Sequence, residues 1–265
     1  MKEKRKLLLL FFMILLVLAI DGLLFYQYRL HKAESANQQL RELGQTEEKE
    51  KDDGENRKSE SADTQKENEE KSSYVSPIDF DSLKEENGDI YAWIRIEDSK
   101  IDYPVLESDG SDPDYYVNHT VEGKKGYPGA LFTEYDLNQD PFEDPVTVIY
   151  GHNMKSGSMF GSLDKWADED YREAHSEIRI YTEEHSYLYE VAFVQVYDNR
   201  NILNKYDCNT KAGYQEFLDS LDSVRKMPYW HSDEIRVSTE NKILILSTCS
   251  GNDRLLLGAV LTEEE

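Results

Sequence analysis

Three side chains in this sequence sit in surroundings that suit covalent chemistry: a thiol, an imidazole and a guanidinium. Cys249 follows Ile243-Leu-Ile-Leu-Ser-Thr, an apolar run of strand type, and precedes the turn-like Ser250-Gly-Asn-Asp. A nucleophile at the end of a buried strand is held rigidly and still opens to solvent. A free cysteine is also commonly a small buried hydrophobe, and a thiol attacks a carbonyl only as a thiolate with a base or cation nearby. His152, in Val148-Ile-Tyr-Gly-His-Asn-Met, lies just past the end of another apolar run, a place for a general acid and base. The remaining histidines, His31, His119, His175, His185 and His231, lie in polar or helical stretches. Arg254 opens the last apolar run. Its guanidinium is charged at any working pH and donates two hydrogen bonds in a fixed fork, which suits an oxyanion or a substrate carbonyl. The competing reading is an edge-strand cation that keeps the sheet soluble.

These residues converge only if their strands are neighbours. From Tyr74 onward the chain shows short β-type runs separated by turn residues: Tyr91–Ile96, Ile101–Leu106, Gly129–Thr133, Val146–Tyr150, Ile178–Tyr181, Tyr187–Tyr197, Lys242–Thr248 and Arg254–Leu261. Helices are expected at three places. One follows Ser76 as cap with Pro77 in the first position and ends at Gly88. A second covers Met159–Trp166 and the acidic stretch after it, and a third runs from Lys211 to Val224 behind Thr210 as cap. Many short strands with few helices predict a mainly β fold, a closed barrel rather than a parallel doubly wound sheet.

The N-terminus reads differently. Met1-Lys-Glu-Lys-Arg-Lys precedes Leu7–Tyr26, apolar except for Asp21 and Gly22. Twenty helical residues span about 30 Å, the thickness of a bilayer core. The following Gln27-Tyr-Arg-Leu-His-Lys has no small-residue cleavage site, which favours an uncleaved anchor over a signal peptide. Basic residues before the span predict a cytoplasmic N-terminus. Residues 1–6 are thus expected as a basic tail, 7–26 as the anchor, 27–73 as a polar, acidic, disordered stalk and 74–265 as the folded external domain. Within the stalk, Glu34–Leu43 can continue as helix. Much of the acidic excess, 54 Asp+Glu against 30 Lys+Arg, falls between residues 43 and 72. That balance argues against nucleic-acid binding. With only Cys208 and Cys249, the chain is not a disulfide-stapled domain. The two could form one bridge, or be a reactive thiol and a bystander.

Leu246-Ser-Thr-Cys249 resembles the cysteine signature of sortases. Tyr150-Gly-His-Asn-Met154 with Ser158-Met-Phe-Gly-Ser-Leu is similar to the histidine segment of class B sortases. Tyr91-Ala-Trp-Ile-Arg-Ile, Ile101-Asp-Tyr-Pro-Val, Asp114-Tyr-Tyr and Gly129-Ala-Leu-Phe resemble that class's early strands, in matching order. The resemblance covers roughly residues 78 to 261. It departs in one place: only Ser250 to Asp253 separate Cys249 from Arg254, fewer residues than class B sortases usually have there.

The resemblance implies a sortase-like closed β-barrel with N-terminal and inserted helices behind one transmembrane helix. It implies a cysteine transpeptidase with Cys249 as nucleophile, His152 as acid and base and Arg254 as oxyanion partner. Thr248, Ser247, Tyr150 and Asn153 become candidate substrate-binding residues. No cofactor or metal is implied. The expected partners are exported proteins carrying an Asn-Pro-x-Thr-like C-terminal sorting signal and an amine, from a peptidoglycan precursor or a pilin lysine. The expected location is the cell membrane, single-pass, with the catalytic domain outside. Two other readings stay open: a cysteine hydrolase with the same residues, and a tethered β-barrel binding protein with an inert thiol.

Overall fold

The computed structural model describes residues 2–45, 74–108, 110, 112–224 and 226–265. Nine strands form one sheet: β1 (Ile90–Arg95), β2 (Asp102–Glu107), β3 (Leu131–Thr133), β4 (Val146–Tyr150), β5 (Glu177–Tyr181), β6 (Ser186–Tyr197), β7 (Lys226–His231), β8 (Ile243–Ser250) and β9 (Asp253–Glu264). Their order is β5-β1-β2-β3-β4-β8-β9-β6-β7. Pairing of β5 with β6 closes eight of them into the expected barrel and leaves β7 outside, on the edge of β6. The β2–β3 and β4–β8 pairs are parallel.

β8 explains why a strand can be apolar on both faces. Leu244 and Leu246 point into the barrel, where they meet Ile149, Leu257 and Ala259. Ile243 and Ile245 point outward into a second core, beneath Tyr214, Phe217 and Leu221 of α5 (Lys211–Ser223). Successive side chains on a strand face opposite ways, so a strand packed on both sides must be apolar throughout. Thr210 caps α5 as expected, its hydroxyl accepting from the Gly213 amide at 3.1 Å. A third core covers the outer faces of β1 to β3 with Phe80 and Leu83 of α2 (Phe80–Glu86) and with Leu40 of α1 (Lys2–Gly44).

Four local expectations change. α2 begins later than Ser76 and Pro77 indicate, because Asp79 is its cap: the carboxylate accepts from the Ser82 amide at 3.0 Å and from its hydroxyl at 2.8 Å. Upstream, Ile78 is held extended in a bridge to Gln45. The Met159–Trp166 helix is absent. Met159 has φ 51°, outside the helical region, and helix starts only as a 3-10 turn at Leu163–Ala167, followed by α3 (Glu169–Ala174) capped by Asp168. β7 was not among the expected strands; its Pro228 is tolerated because β7 lies on the sheet edge with a register shift against β6.

The fourth change concerns the stalk. α1 runs unbroken to Gly44, and its last turns pack on the barrel. Arg41 Nε donates to the Asp102 carbonyl at 2.7 Å and the guanidinium lies 4.8 Å from the Tyr103 ring centre. The rest of the expected stalk, residues 46–73, lies outside the described residues. One helix within Lys4–Gly44 is long and apolar enough to cross a membrane, and its apolar window is unburied by the rest of the chain.

Candidate active site

The site sits where β4 and β8 end and β9 begins. Parallel pairing sets Tyr150 beside Ser247, and the ladder continues one step as the Gly151 amide donates to the Ser247 carbonyl at 3.1 Å. The chain must turn here under Leu131 and Phe160. A Cβ on Gly151 would stand 2.4 Å from Leu131 Cδ2 and 2.7 Å from Phe160 Cδ2, so only glycine lets the strand end this close to the core. His152 and Asn153 follow at once, carried by that turn to the cavity mouth.

Two hydrogen bonds stitch the histidine segment to the cysteine strand. Thr248 Oγ1 donates to the Gly151 carbonyl at 2.7 Å, and Asn153 Nδ2 donates to the Cys249 carbonyl at 2.7 Å. A displacement of either strand end would therefore move the other.

His152 has a defined orientation. Its Nε2 lies 2.8 Å from the Val117 carbonyl, which can only accept, so Nε2 carries a proton. Nδ1 is then the ring nitrogen left to exchange a proton with a reactant. The imidazole also packs against Tyr127, ring centres 5.2 Å apart. The Tyr127 phenol is held above its ordinary value, first by burial and then by the neighbouring Tyr26 and Cys249.

The short connection after Cys249 has a simple structural meaning. β8 and β9 form a hairpin closed by Gly251 and Asn252, with Gly251 at φ 63°. Glycine adopts that left-handed angle without strain, and a two-residue loop fixes the register of both strands. Cys249 and Arg254 become direct cross-strand partners, whose side chains share one face. Arg254 Nη1 stands 3.4 Å from Cys249 Sγ. Cys249 is exposed, whereas Cys208 is buried beneath α5; both are free.

Cys249, His152 and Arg254 line one cavity of ≈530 Å³. Of the four candidate substrate-binding residues, Tyr150 lines it too. Ser247 and Thr248 are 2% and 0% exposed, and Thr248 spends its hydroxyl on Gly151. Asn153 is exposed and is bonded to Cys249's own carbonyl.

The cavity also holds residues that the sequence did not single out. Glu134, 5% exposed, accepts hydrogen bonds from Asn201 Nδ2 on both carboxylate oxygens, at 2.9 and 2.8 Å. Burial holds its carboxyl above the usual range, only partly offset by Asn201. Burial and the Glu134 charge together push the Tyr150 phenol well above its ordinary value. Asn201 also caps α4 (Ile202–Lys205), so Glu134 pins the start of the β6–β7 connection to the cavity wall. One signal was available: Glu134 is a carboxylate placed just beyond the apolar run Ala130-Leu-Phe, after Thr133. Among the described residues no group of three or more His, Cys, Asp or Glu could hold a metal ion.

A family model for the sortase domain matches residues 94–262. Sortase B of Listeria monocytogenes is 37% identical over 168 residues, covering 63% of this chain and 65% of that protein's length. Among solved structures, sortase B from Bacillus anthracis superposes with a TM-score of 0.59 at 28% identity, over 71% of this chain and 85% of that one. Clostridium perfringens sortase B gives 0.59 at 26% identity, over 69% and 100%. The chain belongs to the sortase family, and its resemblance is to the class B members.

Proposed function

We propose that this sortase-family chain is a membrane-anchored cysteine transpeptidase that cleaves the C-terminal sorting signal of an exported protein and joins the protein to an amine of the cell-wall precursor. The observation that carries this reading is the Arg254 guanidinium 3.4 Å from Cys249 Sγ, in the same cavity as a histidine whose Nδ1 is free to work.

In this mechanism the Cys249 thiolate attacks the carbonyl carbon of the scissile peptide bond. Negative charge moves from sulfur to the carbonyl oxygen, and Arg254 lies within reach of both. A donor aimed at an oxyanion typically contributes about 10²–10³ in rate. His152, protonated on both nitrogens, gives its Nδ1 proton to the leaving amine, and the carbon–nitrogen bond breaks. That leaves a thioester on Cys249 and a neutral imidazole. An incoming amine attacks the thioester, His152 takes its proton, and the new amide forms as the thiolate leaves. The proton lost in the first half is regained in the second, so no oxidant or metal is needed.

Thr248 and Asn153 act in this scheme by holding the two strand ends together. Tyr150 is the substrate-contacting residue among the four candidates, because it is the one of them that lines the cavity. The apolar part of α1 is the anchor, with Lys2–Lys6 on the cytoplasmic side and the barrel outside.

The test uses the full chain in lipid nanodiscs with an Asn-Pro-x-Thr-type peptide and excess acceptor amine, read by mass spectrometry. Transpeptidation yields the peptide–amine adduct. Free acid alone would indicate a hydrolase, and an intact peptide would indicate a binding protein. A pilin-type acceptor would show as transfer to a lysine peptide in preference to the cell-wall amine.

A further inference from the structure

The described surface carries a basic patch that the chemistry above does not use. Arg29 and Lys32 lie on α1, just past the apolar run; Lys124 and Lys125 lie on the loop before β3. All four line one groove between helix and loop, and among the described residues none is ion-paired. Arg29 packs on the loop itself: a Cβ at Gly126 would meet its Nη2 at 2.7 Å. The loop is well fixed, with Thr120 N donating to the Lys124 carbonyl at 2.9 Å and Gly126 N to the Asn118 carbonyl at 2.7 Å. One carboxylate, Glu122, shares the groove and accepts from the Thr120 hydroxyl. The local balance is therefore positive in a chain whose formal charge is −24.

The position of the patch along α1 says what faces it. Tyr26, the last residue of the apolar run, stacks on Tyr127 with ring centres 6.5 Å apart. Tyrosines are favoured at the headgroup level of a bilayer. Arg29 and Lys32 follow Tyr26 by three and six residues, a rise of about 5 and 9 Å. That places them within a Debye length of the surface, where anionic lipids attract basic side chains. A second groove, lined by Arg29, Lys125, Tyr127 and His152, runs from the patch to the histidine side of the cavity.

We propose that Arg29, Lys32, Lys124 and Lys125 dock the barrel on anionic phospholipid headgroups of the membrane that α1 crosses, so that the His152 side of the cavity opens at the lipid surface. The occupant is lipid because the helix that enters the bilayer is the helix that builds the patch. An acidic domain would otherwise be repelled by such a surface, and four cations on one face orient it. The inference rests on α1 being the anchor, as proposed above.

The test is lysine acylation footprinting of the full chain in nanodiscs, read residue by residue. Discs of phosphatidylglycerol are compared with discs of phosphatidylcholine. Lys32, Lys124 and Lys125 should be acylated about fivefold more slowly in phosphatidylglycerol, the factor expected for one cation held near an anionic leaflet. High salt should abolish the difference, and the exposed Lys211, on α5, should show none. Replacing Lys124→Gln and Lys125→Gln together should weaken the protection of Lys32. Equal acylation in both lipids, with the chain still co-migrating with the discs, overturns the docking and leaves the anchor standing. Loss of the chain from the discs overturns both. Protection in phosphatidylcholine on adding glycerol phosphate would mark a site for soluble phosphate instead, and also overturns the docking.

Discussion

The two cysteines of this chain place one functional group in two opposite settings. Cys249 ends β8 at a cavity mouth, exposed, with a guanidinium 3.4 Å from its sulfur. Cys208 lies among Tyr214, Phe217 and Ile202, and burial, then the charge of Asp207, pushes its thiol up to about 12. Neither burial nor exposure alone makes a nucleophile. What separates them is a guanidinium at 3.4 Å and a histidine lining the same cavity on one side, and a dry apolar shell on the other. The comparison also disposes of a structural bridge, since both thiols are free.

The largest effect should come from removing the sulfurs one at a time. Cys249→Ala is expected to drop peptide turnover below detection. Cys208→Ala should keep kcat/KM within about twofold and lower stability by about 1 kcal/mol, as small core truncations do. Comparable losses of turnover in both variants would erase the distinction.

Next are the partners of Cys249. His152→Ala should lower kcat by about 10²–10⁴, the range for a positioned general acid and base. Arg254→Ala should lower it by about 10²–10³. If Arg254→Ala lost only substrate affinity, with kcat unchanged, the guanidinium would be a ground-state binder and not an oxyanion partner.

Alkylation reads the same contrast without substrate. Iodoacetamide should modify Cys249 in the folded chain at least about 10²-fold faster than Cys208, which becomes reactive only on opening of the α5 core. Peptide mapping of the labelled chain would show the ratio, and its collapse in denaturant.

The smallest expected effect contrasts two carboxylates. Glu134 is held high by burial, so its charged form is less favourable in the fold than in water. Its contribution to stability is full below the ordinary carboxylate value and is lost as pH rises through the raised one. Glu143 is held low by Lys242, whose ammonium lies 2.6 Å away, and behaves oppositely: its contribution is lost as pH falls. Glu134→Gln should therefore make the chain relatively more stable towards neutral pH, by under about 1 kcal/mol between about pH 4 and 7. Glu143→Gln should lower stability at neutral pH and have little effect in acid. Thermal melts across that range would register both signs.

Much of the fold was legible because its strands carry their packing in their composition. Val146–Tyr150 read directly as a strand, and the all-apolar β8 followed from a barrel interior on one side and α5 on the other. β7 was not read from the sequence: Pro228 lies on an edge strand at a register shift against β6, and sequence alone reveals neither edges nor bulges. The Met159–Trp166 helix failed because apolar spacing cannot report a backbone at positive φ. Within the candidate site, the positions of Cys249 in the last residues of β8 and of His152 just past β4 were legible from the apolar runs that precede them. The Cys249–Arg254 relation was misleading in sequence, where a short connection looked like a missing loop. In space it is a two-residue hairpin that sets the pair side by side. Glu134 and Asn201 were not found, because their pairing joins residues 67 positions apart through tertiary structure.

The account turns on covalent capture by Cys249. The most direct measurement is acid-quench mass spectrometry of the full chain mixed with excess sorting peptide and no acceptor amine. The account predicts an acyl adduct that maps to Cys249, is released by hydroxylamine as expected of a thioester, and disappears when the amine is added. Absence of any adduct while peptide is cleaved, or an adduct that persists in Cys249→Ala, would contradict it.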